Sequence, residues 1–285
     1  MTASVEAVLL RITGLKPKRL SRLGGGCVSD VLRADLEDGR SLVVKQGDAE
    51  SGLATEAFML DYLRRHSRLP VPQVLHSDDR MLVMHHIAGG GALDDAAQIH
   101  AADLIAELHG IAGLAFGFER ATLIGGLDQP NPSTPRWLDF FRESRLLFMA
   151  KEAAAAGRLP QPLLARIERL ATRLDRWIAE PAHPSLIHGD LWGGNVLARD
   201  VRITGFIDPA IYFADPEIEL AFSTLFGTFG EPFFARYREH RPLRPGFFEE
   251  RRDLYNLYPL LVHVRLFGGA YVGRVESTLA RFGFT

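Results

Sequence analysis

The sequence has little cysteine: Cys27 is the only one in 285 residues. A single cysteine cannot form a disulfide within the chain or a cysteine-based zinc site. Disulfide-stabilised secreted scaffolds and zinc fingers are therefore excluded. Low cysteine use is typical of a reducing compartment, and we expect a cytoplasmic protein.

Long hydrophobic runs and an excess of one charge are also lacking. No apolar stretch approaches the ~18 residues that a membrane helix needs. The first residues, MTASVEAVLLRITG, have no basic region of the kind that opens a signal peptide. The 33 basic and 35 acidic residues give a net charge of −2, which offers no general attraction to nucleic acid or to an anionic membrane. We expect neither as a partner.

The length and composition are those of a globular protein with two lobes. Hydrophobic residues make up 47% and charged residues 24% of the chain, without the bias of a disordered sequence. A chain of 285 residues exceeds the usual domain of roughly 100 to 200 residues. We therefore expect two lobes with separate cores.

The chain changes character near residue 87. The first third reads as strands with one helix: a hairpin around residues 29–46 with Asp-Gly at its turn, a helix over 51–66, and two strands over 73–87. After the glycine-rich AGGG the pattern predicts long helices in DDAAQIHAADLIAELHG, WLDFFRESRLLFMAKEAAAAG and PLLARIERLATRLDRWIAE. This predicts an α+β fold with a β-rich lobe over 1–86 and a helical lobe over 87–285.

The stretch SLIHGDLWGGNVLA carries the strongest chemical signal. Asp190 and Asn195 lie five positions apart, and Asp208 follows at the end of a β-type run. Phosphoryl transfer from ATP needs a carboxylate to accept the proton of the attacking hydroxyl, and it needs oxygen ligands for Mg²⁺. The order of these residues predicts Asp190 as the catalytic base, with Asn195 and Asp208 as metal ligands. An isolated H-G-D turn or Asp-Pro would indicate only an ordinary loop.

Three features of the first lobe fit the same chemistry. The run LGGGCVSDVL places Gly24, Gly25 and Gly26 at a turn between strands, where backbone N–H groups can approach phosphates. Lys45 ends a strand, as a lysine that reaches the α- and β-phosphates would. Glu56 lies on the next helix and could orient Lys45 by an ion pair. Each alone would indicate a simple turn or a surface charge, and together they predict an ATP site.

The chain resembles the fructosamine kinases, or ketosamine-3-kinases, within the wider group of aminoglycoside-phosphotransferase-like and protein-kinase-like folds. The resemblance runs over nearly the whole length and rests on GGGCVS, FGFERATLIGGLDQPN, HGDLWGGNVL, IDPAIYFADPEIELAFSTLFG and LYNLYPLLVHVRLFGGAYVG. Glu219 stands where the family usually has Asp.

The resemblance implies a two-lobed kinase fold with a small, mostly antiparallel β N-lobe and a larger helical C-lobe. It implies ATP-dependent phosphorylation, with Mg²⁺, of the sugar 3-hydroxyl of ketoamines such as fructosamine or ribulosamine adducts. The phosphorylated adduct decomposes and frees the amine, so the reaction repairs glycated proteins. The partners would be small ketoamines or glycated proteins. Adenine is expected to bond the hinge backbone over 84–86, at Met84 and His86.

The resemblance also bears on the acceptor site and on Cys27. Asp215 and His263 belong to segments expected near the acceptor pocket. Trp192 and Trp137 could offer apolar faces to the sugar or the amine stem, although burial in the core explains each at least as well. Cys27 follows the glycines of the predicted phosphate loop, and we expect either a buried thiol or a reactive one that links two molecules into a redox-controlled homodimer.

Two other functions stay open at this point. The same catalytic residues would serve a kinase for another alcohol, such as an aminoglycoside, because function depends on the site rather than on the fold. A polycationic antibiotic would need a strongly acidic cleft. A catalytically inactive nucleotide-binding scaffold is the second alternative, and it would usually lack the base or a metal ligand.

Overall fold

A computed structural model describes residues 4–24 and 30–285 of the chain. Gly25, Gly26 and Cys27 lie outside the described residues. Their predicted contribution to the phosphate loop, and the redox-linked dimer, therefore stay predictions.

The first lobe is built on an antiparallel sheet of five strands in the order β1-β2-β3-β5-β4. Helix α1 precedes the sheet and helix α2 connects its third and fourth strands. The bounds are α1 Val5–Thr13, β1 Pro17–Arg22, β2 Asp30–Leu36, β3 Ser41–Gln46, α2 Leu53–His66, β4 Val74–Ser77 and β5 Met81–His85. The predicted hairpin is confirmed, with Asp35 opposite Ser41 and Gly39 at a φ of 87° in the turn.

Helices cover both faces of the sheet. Successive side chains of a strand point to opposite faces, so each strand contributes to both cores. In β5, Met81 and Val83 pack with α1 on one face. Leu82 and Met84 pack with α2 on the opposite face. This sandwich of helix, sheet and helix fixes Lys45 of β3 relative to Glu56 of α2.

The second lobe is mostly helical, with three pairs of short antiparallel strands. Its helices are α3 Asp95–Leu108, α4 Trp137–Phe140, α5 Phe148–Ala155, α6 Gln161–Ala171, α7 Glu217–Leu225, α8 Glu231–His240, α9 Arg252–Phe267 and α10 Ala270–Arg281. Its strands are β6 Thr122–Ile124, β7 Leu127–Gln129, β8 Ser185–Ile187, β9 Val196–Arg199, β10 Arg202–Phe206 and β11 Tyr212–Ala214. The antiparallel sheet followed by helices confirms the α+β prediction.

Three details differ from the sequence prediction. Helix α1 was missed, although Ser4 caps its start and Gly14 its end. The helix predicted from Trp137 onward contains a π-helical segment, Phe141–Leu147, between α4 and α5. The next predicted helix ends at Ala171, and a 3₁₀ turn at Leu174–Arg176 continues its buried face.

The segment between the lobes runs close to the second lobe. Gly91 donates its N–H to Ala198 O at 2.8 Å, and a Cβ at Gly91 would lie 2.9 Å from the same oxygen. Since β5 ends at His85 and α3 begins at Asp95, a boundary between 86 and 87 stays a prediction. Across residues 4–24 and 30–285, none of the helices has the length and apolar character needed to cross a bilayer.

Candidate active site

The loop that carries Asp190 follows β8 through a tight turn at Gly189. Gly189 has a φ of 87°, and a Cβ there would lie 2.0 Å from Ala210 O. That distance is far inside van der Waals contact, and the neighbour is backbone, so only glycine fits. His188 O accepts a hydrogen bond from Ala210 N at 2.7 Å. The turn is thereby tied to the segment just after Asp208.

Asn195 fixes the side chain of Asp190. Its amide Nδ2 donates to Asp190 Oδ2 at 2.8 Å and to Asp190 O at 2.9 Å. An ionised carboxylate only accepts hydrogen bonds, so the Asn195 atom that faces Asp190 must be the amide nitrogen. The amide oxygen of Asn195, Oδ1, is then free for another partner. Asn195 thus orients the proposed base with one atom and offers an oxygen with the other.

Lys45 joins the first lobe to the segment of Asp208. Its Nζ lies 2.7 Å from Glu56 Oε1 and 2.5 Å from Asp208 Oδ1. Ile207 N donates to Asn195 O at 3.0 Å, so the residue before Asp208 is bonded to the catalytic loop. The structure therefore brings together Lys45, Glu56, Asp208, Asn195 and Asp190.

The electrostatics of the cluster keep Lys45 charged and make Asp190 basic. Burial acts to lower the pKa of Lys45, but the carboxylates of Glu56 and Asp208 outweigh it and raise the pKa. Burial, helped by the charge of Asp208 and opposed by the hydrogen bond from Asn195, raises the pKa of Asp190 to about 7. A carboxylate with this pKa is a stronger base than an ordinary aspartate.

The metal prediction is compatible with the residues present. Within the described part of the chain, no group of three or more His, Cys, Asp and Glu side chains could hold a metal by itself. Mg²⁺ in kinases commonly takes one or two protein oxygens and completes its shell with phosphates and water. Asp208, with 43% of its side chain exposed, and Asn195 Oδ1 supply such a pair.

Glu56→Gln is expected to lower kcat/KM for ATP by about tenfold, since hydrogen bonds to charged groups contribute about 1.5–3 kcal/mol and glutamine keeps only a neutral acceptor for Lys45. Initial rates at varied ATP measure this. Glu50→Gln, at an exposed position, is the control. An unchanged kcat/KM for ATP in Glu56→Gln would contradict the role given to the ion pair.

An apolar cleft opens beside Asp190. Apolar and aromatic side chains dominate its lining, with Asp190, Glu219 and His263 as the polar members. The others include Ile124, Ile218, Phe222, Tyr258, Pro259 and Val262. His263 Nδ1 lies 2.7 Å from Pro259 O, and because a carbonyl only accepts, Nδ1 donates there. In the neutral ring Nε2 is then an acceptor.

The two tryptophans considered as acceptor contacts, Trp137 and Trp192, lie in different environments. Trp137 is fully buried and its Nε1 donates to Tyr255 Oη at 2.9 Å, so it belongs to the core. The Trp192 side chain is 40% exposed and packs edge-on against Phe226, with ring centroids 6.2 Å apart. Phe226 in turn contacts His263 of the cleft at 5.0 Å. An acceptor contact therefore stays a prediction for Trp192 only.

Asp215 is buried and its carboxylate bonds other protein groups. It accepts hydrogen bonds from Glu217 N at 2.9 Å and Tyr255 Oη at 3.0 Å, and it pairs with Arg244 at 3.1 Å. It does not belong to the cleft lining. The position favours a structural role over the predicted contact with substrate.

The backbone predicted to bind adenine, at residues 84–86, already makes hydrogen bonds within the first lobe. His85 N donates to Gln73 O at 2.9 Å and His86 N to Ser41 O at 3.0 Å. Met84 is buried against α2. Both N–H groups are therefore engaged within the protein, and the amino group of adenine, which is a donor, would bond a hinge carbonyl. A Cβ at Gly24 would meet nothing within 4 Å, so sterics do not require glycine there.

Sequence reasoning missed how Glu219 acts. Glu219 is fully buried, and it accepts hydrogen bonds from Gly189 N at 2.6 Å and from His188 N at 3.3 Å. These are the two residues before Asp190. Nothing in the local sequence indicates a contact across 30 positions. The only signal was that a glutamate stands where the resembled family usually has Asp.

Comparison with known proteins agrees with this arrangement. The family model described as fructosamine kinase matches residues 1–282. The chain belongs to the fructosamine kinase family. Its curated relatives include the probable ketoamine kinase of Synechocystis, 33% identical over 90% of this chain and 88% of that protein. Another is the chloroplastic protein-ribulosamine 3-kinase of Arabidopsis thaliana, 30% identical over 92% of this chain and 81% of that protein.

Solved structures extend the likeness to the fold. One is a crystal structure from Thermobifida fusca, assigned as a fructosamine-3-kinase, with 34% sequence identity and a TM-score of 0.85. The match covers 98% of the present chain and 100% of the Thermobifida fusca chain. An aminoglycoside phosphotransferase solved with ADP and hygromycin B is 19% identical, with a TM-score of 0.66 and 98% coverage of both chains. The second likeness shows the two-lobed kinase fold alone.

Proposed function

We propose that the protein is an ATP-dependent kinase that phosphorylates the sugar 3-hydroxyl of ketoamines. The observation that carries the proposal is a basic Asp190, held by Asn195, at the border between an apolar cleft and the Lys45–Asp208 cluster. Family membership supports the substrate class, since the relatives are named ketoamine kinases and protein-ribulosamine 3-kinases.

Each residue has a separate task in the transfer. Asp190 accepts the proton of the attacking hydroxyl, and Asn195 keeps the carboxylate aimed. Lys45, oriented by Glu56, neutralises charge on the α- and β-phosphates. Mg²⁺ held by Asn195 and Asp208 would neutralise charge on the transferred phosphoryl group.

The lining of the cleft favours a sugar adduct over a polycationic antibiotic. Glu219 is one of two carboxylates there, and its oxygens already accept three hydrogen bonds from protein groups. Asp190 is then the only cleft carboxylate left to meet a cation, among mostly apolar neighbours. A molecule with several ammonium groups would lose hydration without gaining partners.

The product of the reaction tests the proposal. The protein is incubated with MgATP and a fructosyl-lysine, and phosphorus NMR follows the appearance of a sugar phosphate. We expect a phosphate ester on the 3-hydroxyl, followed by release of free lysine. ATP hydrolysis without any phosphorylated sugar would contradict the proposal.

The pH profile tests the base. Asp190 accepts a proton only when ionised, and its pKa is raised to about 7. We therefore expect kcat/KM for the ketoamine to be low in acid, to rise through about pH 7 and then to level off. Steady-state rates from about pH 5.5 to 8.5 measure this. A flat profile over that range would show that the proton acceptor is not Asp190 in this environment.

The natural acceptor and the compartment are part of the proposal. The exposed Trp192 is linked to His263 of the cleft through Phe226, and we propose a ketoamine acceptor, either free or carried on a protein side chain. The single cysteine supports a reducing compartment, and we place the enzyme in the cytoplasm.

A further inference from the structure

A buried chain of side chains extends from the catalytic loop into the helices of the second lobe. His109, directly after α3, places Nε2 2.8 Å from Glu219 Oε2. Its Nδ1 lies 2.8 Å from the hydroxyl of Tyr237 on α8. His109 and Glu219 have no exposed side-chain surface, and Tyr237 is 1% exposed. Three helices and the loop before Asp190 therefore meet in one set of hydrogen bonds.

The direction of each hydrogen bond follows from the groups involved. Burial acts to raise the pKa of Glu219, but the bonds from His109 and Gly189 outweigh it and lower the pKa, so the carboxylate is ionised and only accepts. Nε2 of His109 must then be the donor. Burial raises the pKa of Tyr237, so its hydroxyl keeps its proton and can donate to Nδ1.

His109 helps to fix the rotamer of the buried Glu219 side chain. A glutamate has three side-chain torsions, and ordering them costs free energy. The donor from His109 selects the rotamer in which Oε1 accepts from Gly189 N at 2.6 Å. Gly189 immediately precedes Asp190, and the residue before it, His188, accepts a hydrogen bond from Ala210 N at 2.7 Å. The orientation of the base thus depends on a carboxylate that His109 holds.

We propose that His109 and Tyr237 are positioning residues for the reaction, acting through Glu219 to hold the turn that aims Asp190. This inference rests on the proposed function only in the choice of a ketoamine as the acceptor for the kcat measurements. Neither residue belongs to the cleft lining, and their effect is expected on turnover rather than on nucleotide binding.

The test compares two replacements of His109 that differ in one donor. Glutamine places an amide N–H close to the position of Nε2, whereas leucine fills similar space without a donor. We expect His109→Leu to lower kcat by about 10- to 100-fold, because a hydrogen bond to a buried charge is lost. KM for ATP should stay within about twofold, since Lys45 and Glu56 are untouched. His109→Gln should recover most of the turnover.

A second readout does not depend on the acceptor. Amide hydrogen exchange of the peptide spanning 185–192, followed by mass spectrometry, should be faster in His109→Leu and close to wild type in His109→Gln. His66→Leu on the outer side of α2 is the matched control. Wild-type protein that shows no ketoamine turnover would refute the proposed function, and the exchange comparison would still decide the role of His109.

Tyr237→Phe keeps the ring packing and removes only the hydroxyl, so it covers the case in which His109→Leu does not fold. We expect about a threefold loss of kcat and faster exchange in the same peptide, with Tyr62→Phe unchanged. Equal damage in His109→Gln and His109→Leu would indicate packing rather than hydrogen bonding. Wild-type turnover and exchange in both His109→Leu and Tyr237→Phe would overturn the inference.

Discussion

Asp190→Asn is expected to fold and to bind ATP like the wild type while losing about 10²- to 10⁴-fold in kcat, the usual contribution of a positioned base. Asparagine has nearly the size of aspartate and can still accept the hydrogen bond from Asn195 Nδ2. What it cannot do is take the proton of the attacking hydroxyl. ADP release in the presence of the ketoamine gives kcat, and titration calorimetry gives the affinity for ATP.

Asp200→Asn is the matched control, because its side chain is 90% exposed on the turn between β9 and β10. It should turn over like the wild type. Near-normal activity of Asp190→Asn would remove Asp190 from the mechanism. A loss of ATP binding in the same variant would show a structural role in place of a chemical one.

Asp208→Ala is expected to abolish Mg²⁺-dependent turnover, a loss of at least about 10²-fold, since a metal contributes several kcal/mol to the transition state. Asp208 has a φ of 53°, a conformation that asparagine tolerates better than most residues. Asp208→Asn therefore removes the charge with less backbone strain and should lose nearly as much. Kinetics over a range of Mg²⁺ concentrations measure both variants.

Asn195→Ala is the graded comparison. It should reduce turnover less than Asp208→Ala and raise the Mg²⁺ requirement, because a neutral amide contributes less charge than a carboxylate. It also frees the Asp190 carboxylate from the hydrogen bond of 2.8 Å. Wild-type kinetics of Asp208→Ala at low Mg²⁺ would contradict the metal assignment.

The sequence predicted the residues whose order along the chain reflects chemistry. Asp190, Asn195 and Asp208 follow a short strand, and Lys45 and Glu56 lie on adjacent elements of the other lobe, so spacing alone was sufficient to group them. The strands of the first lobe were also predictable, because short apolar runs such as MLVMH and the Asp-Gly of the hairpin turn are local signals.

The rest of the site depends on contacts that are distant in sequence. The bond between His109 and Glu219 spans 110 positions and that between His109 and Tyr237 spans 128, and a lone histidine after an apolar helix gives no hint of either. Asp215 was predicted near the acceptor from its segment, yet its carboxylate bonds Tyr255 and Arg244. The local sequence could not show that Glu219 supports the catalytic loop while Asp215 does not, because the partners of both acids come from other helices.

The acceptor preference tests the central claim most directly. Wild-type enzyme is given MgATP with fructosyl-lysine, ribulosyl-lysine or an aminoglycoside in parallel, and kcat/KM is measured from ADP release. We predict turnover with at least one ketoamine at a kcat/KM at least about 100-fold above that for the aminoglycoside, and no ketoamine turnover in Asp190→Asn. Equal or better turnover of the aminoglycoside would contradict the account.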